Sequence, residues 1–165
     1  CNLVEELYER NCRHIYYLED NTTFCAVEKR NGFLEGVNKC NLKATSKCIT
    51  IPIYSNEILD AQQKIERLIR NGRRIDAILS ADDLLAVGAL QALNAAGLGI
   101  PVVGFNNSDF AFACTPRLTT VDNQREFLCT NAINTLMSLL DGKDAAHHII
   151  VSPKLIEGET FKLQA

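Results

Sequence analysis

Apolar residues along the chain follow two spacings, one typical of strands and one typical of helices. Short continuous runs of β-branched and aromatic residues predict strands over 14–18, 48–53, 75–80 and 100–105. Between these runs, apolar residues recur every three or four positions and predict helices over 22–39, 56–70 and 84–96. Helices are also expected over 3–10 and 124–140, with a loop after residue 105 and short extended segments over 118–121, 148–151 and 155–157.

The predicted strands are apolar on both faces. Such strands form parallel sheets that are covered by helices on both sides, and the connections between them are right-handed. The predicted fold class is therefore α/β, with a doubly wound parallel sheet. At 165 residues the chain is long enough for one domain, or for one large piece of a two-lobed protein. Because it opens without methionine or a signal-peptide pattern, we expect a piece of a longer protein.

Charge and hydropathy narrow the possible partners. The formal net charge is −3, and no stretch has the concentrated basic residues that a nucleic-acid-binding face needs. No apolar run approaches the ~18–20 residues of a membrane span, so no membrane partner is expected. The seven cysteines form no Cys-x-x-Cys pair, and we expect them to be mainly buried thiols of a cytoplasmic protein.

Polar clusters follow the predicted strands. In parallel sheets, ligands bind beyond the carboxyl ends of strands, where helices begin. Asp82 follows strand 75–80 and can accept hydrogen bonds from the hydroxyls of a sugar, although capping of the next helix explains it equally well. Asn106 follows strand 100–105, in a run of Asn and Asp that suits an uncharged hydroxylated ligand or a simple turn.

Two more clusters follow the first and second strands. Thr23, Cys25 and Lys29 lie within the first two turns of the predicted helix 22–39. Tyr54 and Asn56 follow strand 48–53, where an aromatic ring can stack on a sugar or form part of the core rim. All four clusters fall at the same edge of the predicted sheet. That convergence is a stronger indication of a binding site than any one cluster.

Motifs for catalysis or cofactor binding are missing from the sequence. It contains no phosphate-binding loop, no Gly-x-Ser-x-Gly turn and no His-Glu-x-x-His. His147 and His148 are neighbours before an expected strand and would point to opposite faces, which disfavours joint metal binding. We therefore expect a protein that is not an enzyme and that uses no cofactor or metal ion.

Three segments match a known family in order and spacing. They are 75–97 (IDAILSADDLLAVGALQALNAAG), 100–107 (IPVVGFNN) and 115–121 (TPRLTTV). With them, the chain resembles the effector-binding domain of the lactose/galactose-repressor family of bacterial transcription regulators. The resemblance implies a periplasmic-binding-protein-like fold of type I, in which a small effector, a sugar or related metabolite, binds between two lobes and its binding alters affinity for operator DNA.

The resemblance covers mainly the C-terminal lobe. It implies that residues 13–120 and 148–165 form that lobe and that residues 1–12 and 121–147 are remnants of the N-terminal lobe. The helix-turn-helix that contacts operator DNA is expected to lie outside this chain, and a homodimer is expected on a two-fold operator. Without most of the other lobe, several apolar side chains are expected to lack native partners and to pack together or self-associate: Leu3, Leu7, Phe127, Leu136 and Leu140.

The same resemblance implies roles for individual residues. The effector contacts of the family correspond here to Asp82, Asn106, Thr23, Cys25, Lys29, Asn56 or Tyr54, and Asn123. Lys29 stands where the family commonly has Arg. Asp82 stands where the family often has Asn, and Asn106 stands where the family usually has Asp. The negative charge is therefore exchanged between these two positions.

Two other functions stay open on the sequence alone. A sugar-binding protein of a transport system would have a related fold, but seven unpaired cysteines disfavour an exported protein. A small enzyme of flavodoxin-like shape would need a phosphate-binding loop after a strand, and the sequence has none.

Overall fold

A computed structural model describes residues 2–20, 24–51, 56–144 and 148–163. The helices are α1 (Asn2–Glu9), α2 (Phe24–Lys39), α3 (Glu57–Arg70), α4 (Asp83–Ala95), α5 (Asp109–Ala113) and α6 (Arg125–Leu140). The strands are β1 (Ile15–Glu19), β2 (Lys47–Thr50), β3 (Ala77–Ser80), β4 (Val102–Phe105), β5 (Thr119–Asp122) and β6 (Lys154–Ile156). Up to β4, strands and helices alternate as the hydrophobic pattern predicts.

The strands form one twisted sheet in the order β2-β1-β3-β4-β5-β6. The first five strands are parallel, and β6 runs antiparallel to β5. The order reverses direction at β1, as it does in doubly wound sheets. The predicted fold class is therefore confirmed.

Helices cover both faces of this sheet. On one face α3 and α4 pack over a core that includes Ile65, Ile78 and Leu93. On the other face α1 and α2 pack over a second core that includes Leu7 and Phe33. The first face is packed closely at Gly88, since an added Cβ would lie 2.2 Å from the carbonyl oxygen of Ile58. Glycine is needed there because α3 and α4 leave no room for a side chain.

Three expectations from the sequence are wrong in detail. Residues 109–113 form α5, although the segment after residue 105 is expected to be a loop. Residues 148–151 form no strand, and the last strand begins only at Lys154. Leu7 is fully buried and Leu3 is partly buried against the α1/α2 core, so these two side chains do have partners.

Helix α6 is apolar and exposed. None of its 16 residues is buried. Its exposed large side chains are Phe127, Leu128, Ile133, Leu136, Met137, Leu139 and Leu140. Among the described residues, the apolar side chains of α6 therefore have no covering partner, whereas those of α1 do.

Candidate functional site

The candidate site is the rim formed by the carboxyl ends of the parallel strands. Strand β3 ends at Ser80, and Asp82 begins α4 immediately afterwards. Asp82 is the N-cap of α4, since its Oδ1 accepts a hydrogen bond of 2.9 Å from the backbone N–H of Leu85. Burial raises the pKa of the Asp82 carboxyl. The capping role inferred from the sequence is confirmed, and the carboxyl lies at the rim.

Lys29 reaches the same rim from α2. Its Nζ donates a hydrogen bond of 2.8 Å to the carbonyl oxygen of Ala81 and lies 4.0 Å from the centroid of the Phe105 ring. Burial lowers the pKa of Lys29, and the nearby Asp82 carboxylate opposes that change. The helix therefore brings its ammonium group to the junction of β3 and β4, next to Asp82.

Three asparagines meet where β4 and β5 end. The backbone N–H of Asn106 donates to the carbonyl oxygen of Val121, and the Asn106 side-chain oxygen lies 3.3 Å from Nδ2 of Asn123. Asn106 and Asn107 both have positive φ, at 100° and 50°. Within the part of the chain that the structure describes, the buried Oδ1 of Asn107 has no hydrogen-bond partner. The predicted residues Asn106 and Asn123 are thus neighbours.

A buried carboxylate, which sequence reasoning missed, organises this loop. Asp83 accepts hydrogen bonds of 2.7 and 2.8 Å from the backbone N–H and the hydroxyl of Ser108, and a third from the hydroxyl of Thr120. An added Cβ at Gly104 would lie 2.2 Å from Asp83 Oδ1, so glycine allows this approach. Asp83 therefore joins α4 to the loop that carries Asn106 and to β5.

The remaining predicted residues fall into two groups. Cys25 is exposed in the first turn of α2, and Asn56 is exposed and caps α3 by accepting a hydrogen bond from Leu59 N–H. Burial raises the pKa of Glu57, the next residue after Asn56, and the carboxylates of Asp82 and Asp20 raise it further. The start of α3 is thus near the rim. Thr23 and Tyr54 lie outside the described residues.

A small polar depression opens beside the asparagines. It has a volume of about 310 Å³, and its walls include Asn106, Asn107, Gln124 and Lys154. Carboxamide groups present both hydrogen-bond donors and acceptors, as recognition of hydroxyl groups requires. These groups offer hydrogen bonds at the rim, beside the charged side chains of Asp122, Arg125, Glu126 and Lys154, which also line the depression.

Other kinds of site are not evident in the described ranges. Within them no three His, Cys, Asp or Glu side chains are grouped so that they could hold a metal ion. None of the helices found there has the length and apolar character needed to cross a membrane.

Comparison with known proteins identifies the family of this chain. Residues 4–161 match the model of the periplasmic binding protein-like domain. The chain belongs to this family. It is 34% identical over 98 residues to the lactose operon repressor of Rhizobium radiobacter, a match that covers 57% of this chain and 87% of that protein. The resemblance to the lactose/galactose-repressor family is confirmed.

A second relative is longer than this chain. An HTH-type transcriptional regulator of Lachnoclostridium phytofermentans is 29% identical over 161 residues, which is 95% of this chain and 48% of the relative. Among solved structures, a Lac repressor bound to ONPG matches with a TM-score of 0.81 at 21% identity, over 97% of this chain and 49% of that one. A LacI transcriptional regulator from a Rhodococcus species gives a TM-score of 0.81 at 22% identity, over 96% and 59%.

These comparisons have two consequences. The chain spans about half the length of its longer relatives. Those relatives are named as transcription regulators, which supports an effector-sensing domain of a regulator over a binding protein of a transport system.

Proposed function

We propose that the chain is the effector-binding lobe of a cytoplasmic transcription regulator that binds a sugar-like metabolite without transforming it. The observation that carries the proposal is the meeting of Asp82, Lys29, Asn106 and Asn123 at one edge of the sheet. Open α/β sheets bind ligands at this edge, and the confirmed relatives are regulators.

The chemistry of the rim favours an uncharged effector with several hydroxyl groups. Asp82 accepts hydrogen bonds, Lys29 donates them, and the carboxamides of Asn106 and Asn123 do both. Burial raises the pKa of Asp82 and lowers that of Lys29. Because the two groups have opposite charges, a net charge on the effector would be attracted by one of them and repelled by the other.

In this proposal the effector binds between two lobes, and the other lobe forms the second wall of the site. Residues 13–120 and 148–165 form the C-terminal lobe, and residues 121–147 belong with the N-terminal lobe, which covers the exposed apolar side of α6. The burial of Val4 and Leu7 against α2 and the sheet favours placing α1 with the C-terminal lobe, in place of the expected assignment of residues 1–12.

Closure of the two lobes on the effector would change the affinity of a homodimer for operator DNA. The helix-turn-helix that binds this DNA would lie outside the chain. A ligand changes an equilibrium only through its different affinities for the two states. Coupling energies of about 1–3 kcal/mol are typical and correspond to roughly 5- to 150-fold in affinity.

The proposal is tested by calorimetry on the protein that contains both lobes, titrated with a panel of sugars and nucleosides. We expect saturable binding of at least one uncharged compound, and Asp82→Asn to weaken it by about 2 kcal/mol. Asparagine caps helices as well as aspartate does, so this variant removes the charge but keeps the cap of α4.

The matched control is Asp141→Asn, which neutralises an exposed carboxylate at the end of α6. It is expected to leave the affinity unchanged. Flat titrations with every compound of the panel, or equal affinities for wild type and Asp82→Asn, would contradict the proposal.

A further inference from the structure

Two chain segments connect helix α6 to the sheet. The first is 122–124, which leads from β5 into α6, and the second is 148–153, which precedes β6 and contains no helix or strand. Strands β5 and β6 are antiparallel neighbours, and Asp122 lies opposite Lys154. No residue of α6 is buried or belongs to either described core. Core packing therefore does not fix the orientation of α6 relative to the sheet, and that orientation depends on the first segment and its contacts.

Gln124 joins these two segments. Its side-chain Nε2 donates a hydrogen bond of 2.6 Å to the carbonyl oxygen of Ser152 in the second segment. Its backbone N–H donates a hydrogen bond of 2.8 Å to Oδ1 of Asp122, at the end of β5. One residue thus holds both the segment that enters α6 and the segment that returns to β6.

The backbone of Gln124 has a left-handed conformation, with φ 54° and ψ 47°, immediately before α6. This conformation is unfavourable for residues other than glycine, because Cβ crowds the backbone. Residues in such conformations persist where surrounding contacts hold them, and they occur at ligand clamps and switch regions. The two hydrogen bonds of Gln124 are contacts of this kind. A change in its φ and ψ would redirect the chain as it enters α6.

Gln124 is also next to the proposed effector contacts. It lines the depression beside the asparagines, and it follows Asn123, whose Nδ2 lies 3.3 Å from Oδ1 of Asn106. We propose that Gln124 is a positioning residue, which ties the two segments together so that they turn as one unit when the lobes close on the effector. This inference rests on the proposed function. It assigns to one side chain the transmission of closure from the rim to α6.

Native-state hydrogen exchange of this chain tests the tie without any effector. Gln124→Met keeps a side chain of similar length but removes the donor to Ser152. Because opening then breaks one hydrogen bond fewer, we expect the backbone amide at position 124 to lose about 5-fold of its protection. The amide of Ile78, which is bonded to the carbonyl oxygen of Pro101, should keep its protection. Gln63→Met makes the same change at an exposed position of α3 and should affect neither amide.

In the intact regulator, the measured quantity is the ratio of operator affinities with and without effector. The probe is the sugar or nucleoside that binds most tightly in the calorimetric panel. If the two segments turn independently, less of the closure reaches the rest of the protein, so Gln124→Met should bring this ratio about 5-fold closer to one. A side chain that only contacted the effector, equally in both lobe states, would change the effector affinity and leave the ratio unchanged.

Gln124→Gly is the second variant, in case the methionine variant folds poorly. Glycine adopts the left-handed region freely but also lacks the donor, so the same two effects are expected. Unchanged protection at position 124, an equal loss at Ile78, or an unchanged operator ratio would each overturn the proposal. A panel in which no compound binds would contradict the proposed function, whereas the exchange experiment, which needs no effector, decides whether the tie exists.

Discussion

Helices α4 and α6 are similar in composition and opposite in burial. Nine of the 13 residues of α4 are buried, whereas none of the 16 residues of α6 is. Leucines lie on several sides of α4, whereas those of α6 lie along one side, opposite Thr130, Asn134 and Ser138. Helix α4 packs with α3 over the core on one face of the sheet, whereas no residue of α6 belongs to either described core.

The difference shows that apolar composition predicts a need for burial but not the partner that provides it. The apolar surface of a helix is normally buried in an interior. For α4 that interior is within this chain. For α6 we assign it to the second lobe of the proposed regulator, and the experiments below compare the two helices directly.

Truncation of one leucine in each helix gives the largest expected contrast. Leu93 of α4 is fully buried, so Leu93→Ala should lower the free energy of unfolding by about 3 kcal/mol. Leu136 of α6 is 56% exposed, and Leu136→Ala should change it by less than about 0.5 kcal/mol. Urea unfolding of this chain measures both. Equal losses would mean that α6 is packed in solution, as the expected self-association would require, and light scattering would detect that association.

Carboxylates in the first turns of the two helices provide the second contrast. Asp83→Asn replaces an acceptor of three hydrogen bonds with an amide that presents its own donors, and it should cost about 2 kcal/mol. Glu126→Gln in α6 is the control, since Glu126 is exposed. The same urea titrations apply. A loss below about 0.5 kcal/mol for Asp83→Asn would show that the Asn106 loop does not depend on this carboxylate.

Much of the fold and part of the candidate site could be predicted from the sequence, because these features depend on local sequence pattern. The N-cap Asp82 follows from side-chain chemistry at a helix start, and it is confirmed. Asp83 could not be predicted in this way, since its partners Ser108 and Thr120 are distant in sequence. The sequence signal for this contact is Gly104, which leaves room for the Asp83 carboxylate. It can be interpreted only after β4 has been placed beside α4.

Errors near the chain ends have a similar cause. The β-branched run 148–151 has strand propensity, but a strand also needs a neighbour, and the structure pairs β5 with 154–156 instead. The amphipathic pattern of α1, by contrast, indicates burial on one side, and Val4 and Leu7 are buried there. Local propensity thus located most of the elements, and contacts between distant segments decided which of them pair and which are buried.

The smallest expected contrast is between two aspartates away from the rim. Burial alone would raise the pKa of Asp76, but hydrogen bonds to its carboxylate outweigh burial and lower the pKa. The donors are the Arg74 side chain, the backbone N–H groups of Arg13 and His14, and the His14 ring. A lowered pKa stabilises the fold above the unfolded value of about 3.9, and this contribution is lost as pH falls towards the folded value. Asp76→Asn should therefore cost about 1–2 kcal/mol at pH 7, and the difference from wild type should shrink below about pH 4.

The comparison residue is Asp141 at the end of α6, which forms an ion pair with the exposed Lys143. Exposed pairs of this kind contribute little, so Asp141→Asn should be neutral at every pH. Thermal unfolding of the three proteins between pH 3 and pH 7 measures these differences. A deficit of Asp76→Asn that stays constant down to pH 3 would mean that loss of hydrogen-bond geometry, and not loss of the carboxylate charge, causes it. In that case Asp76 would stabilise the fold through the geometry of its hydrogen bonds, and its contrast with Asp141 of α6 would not depend on charge.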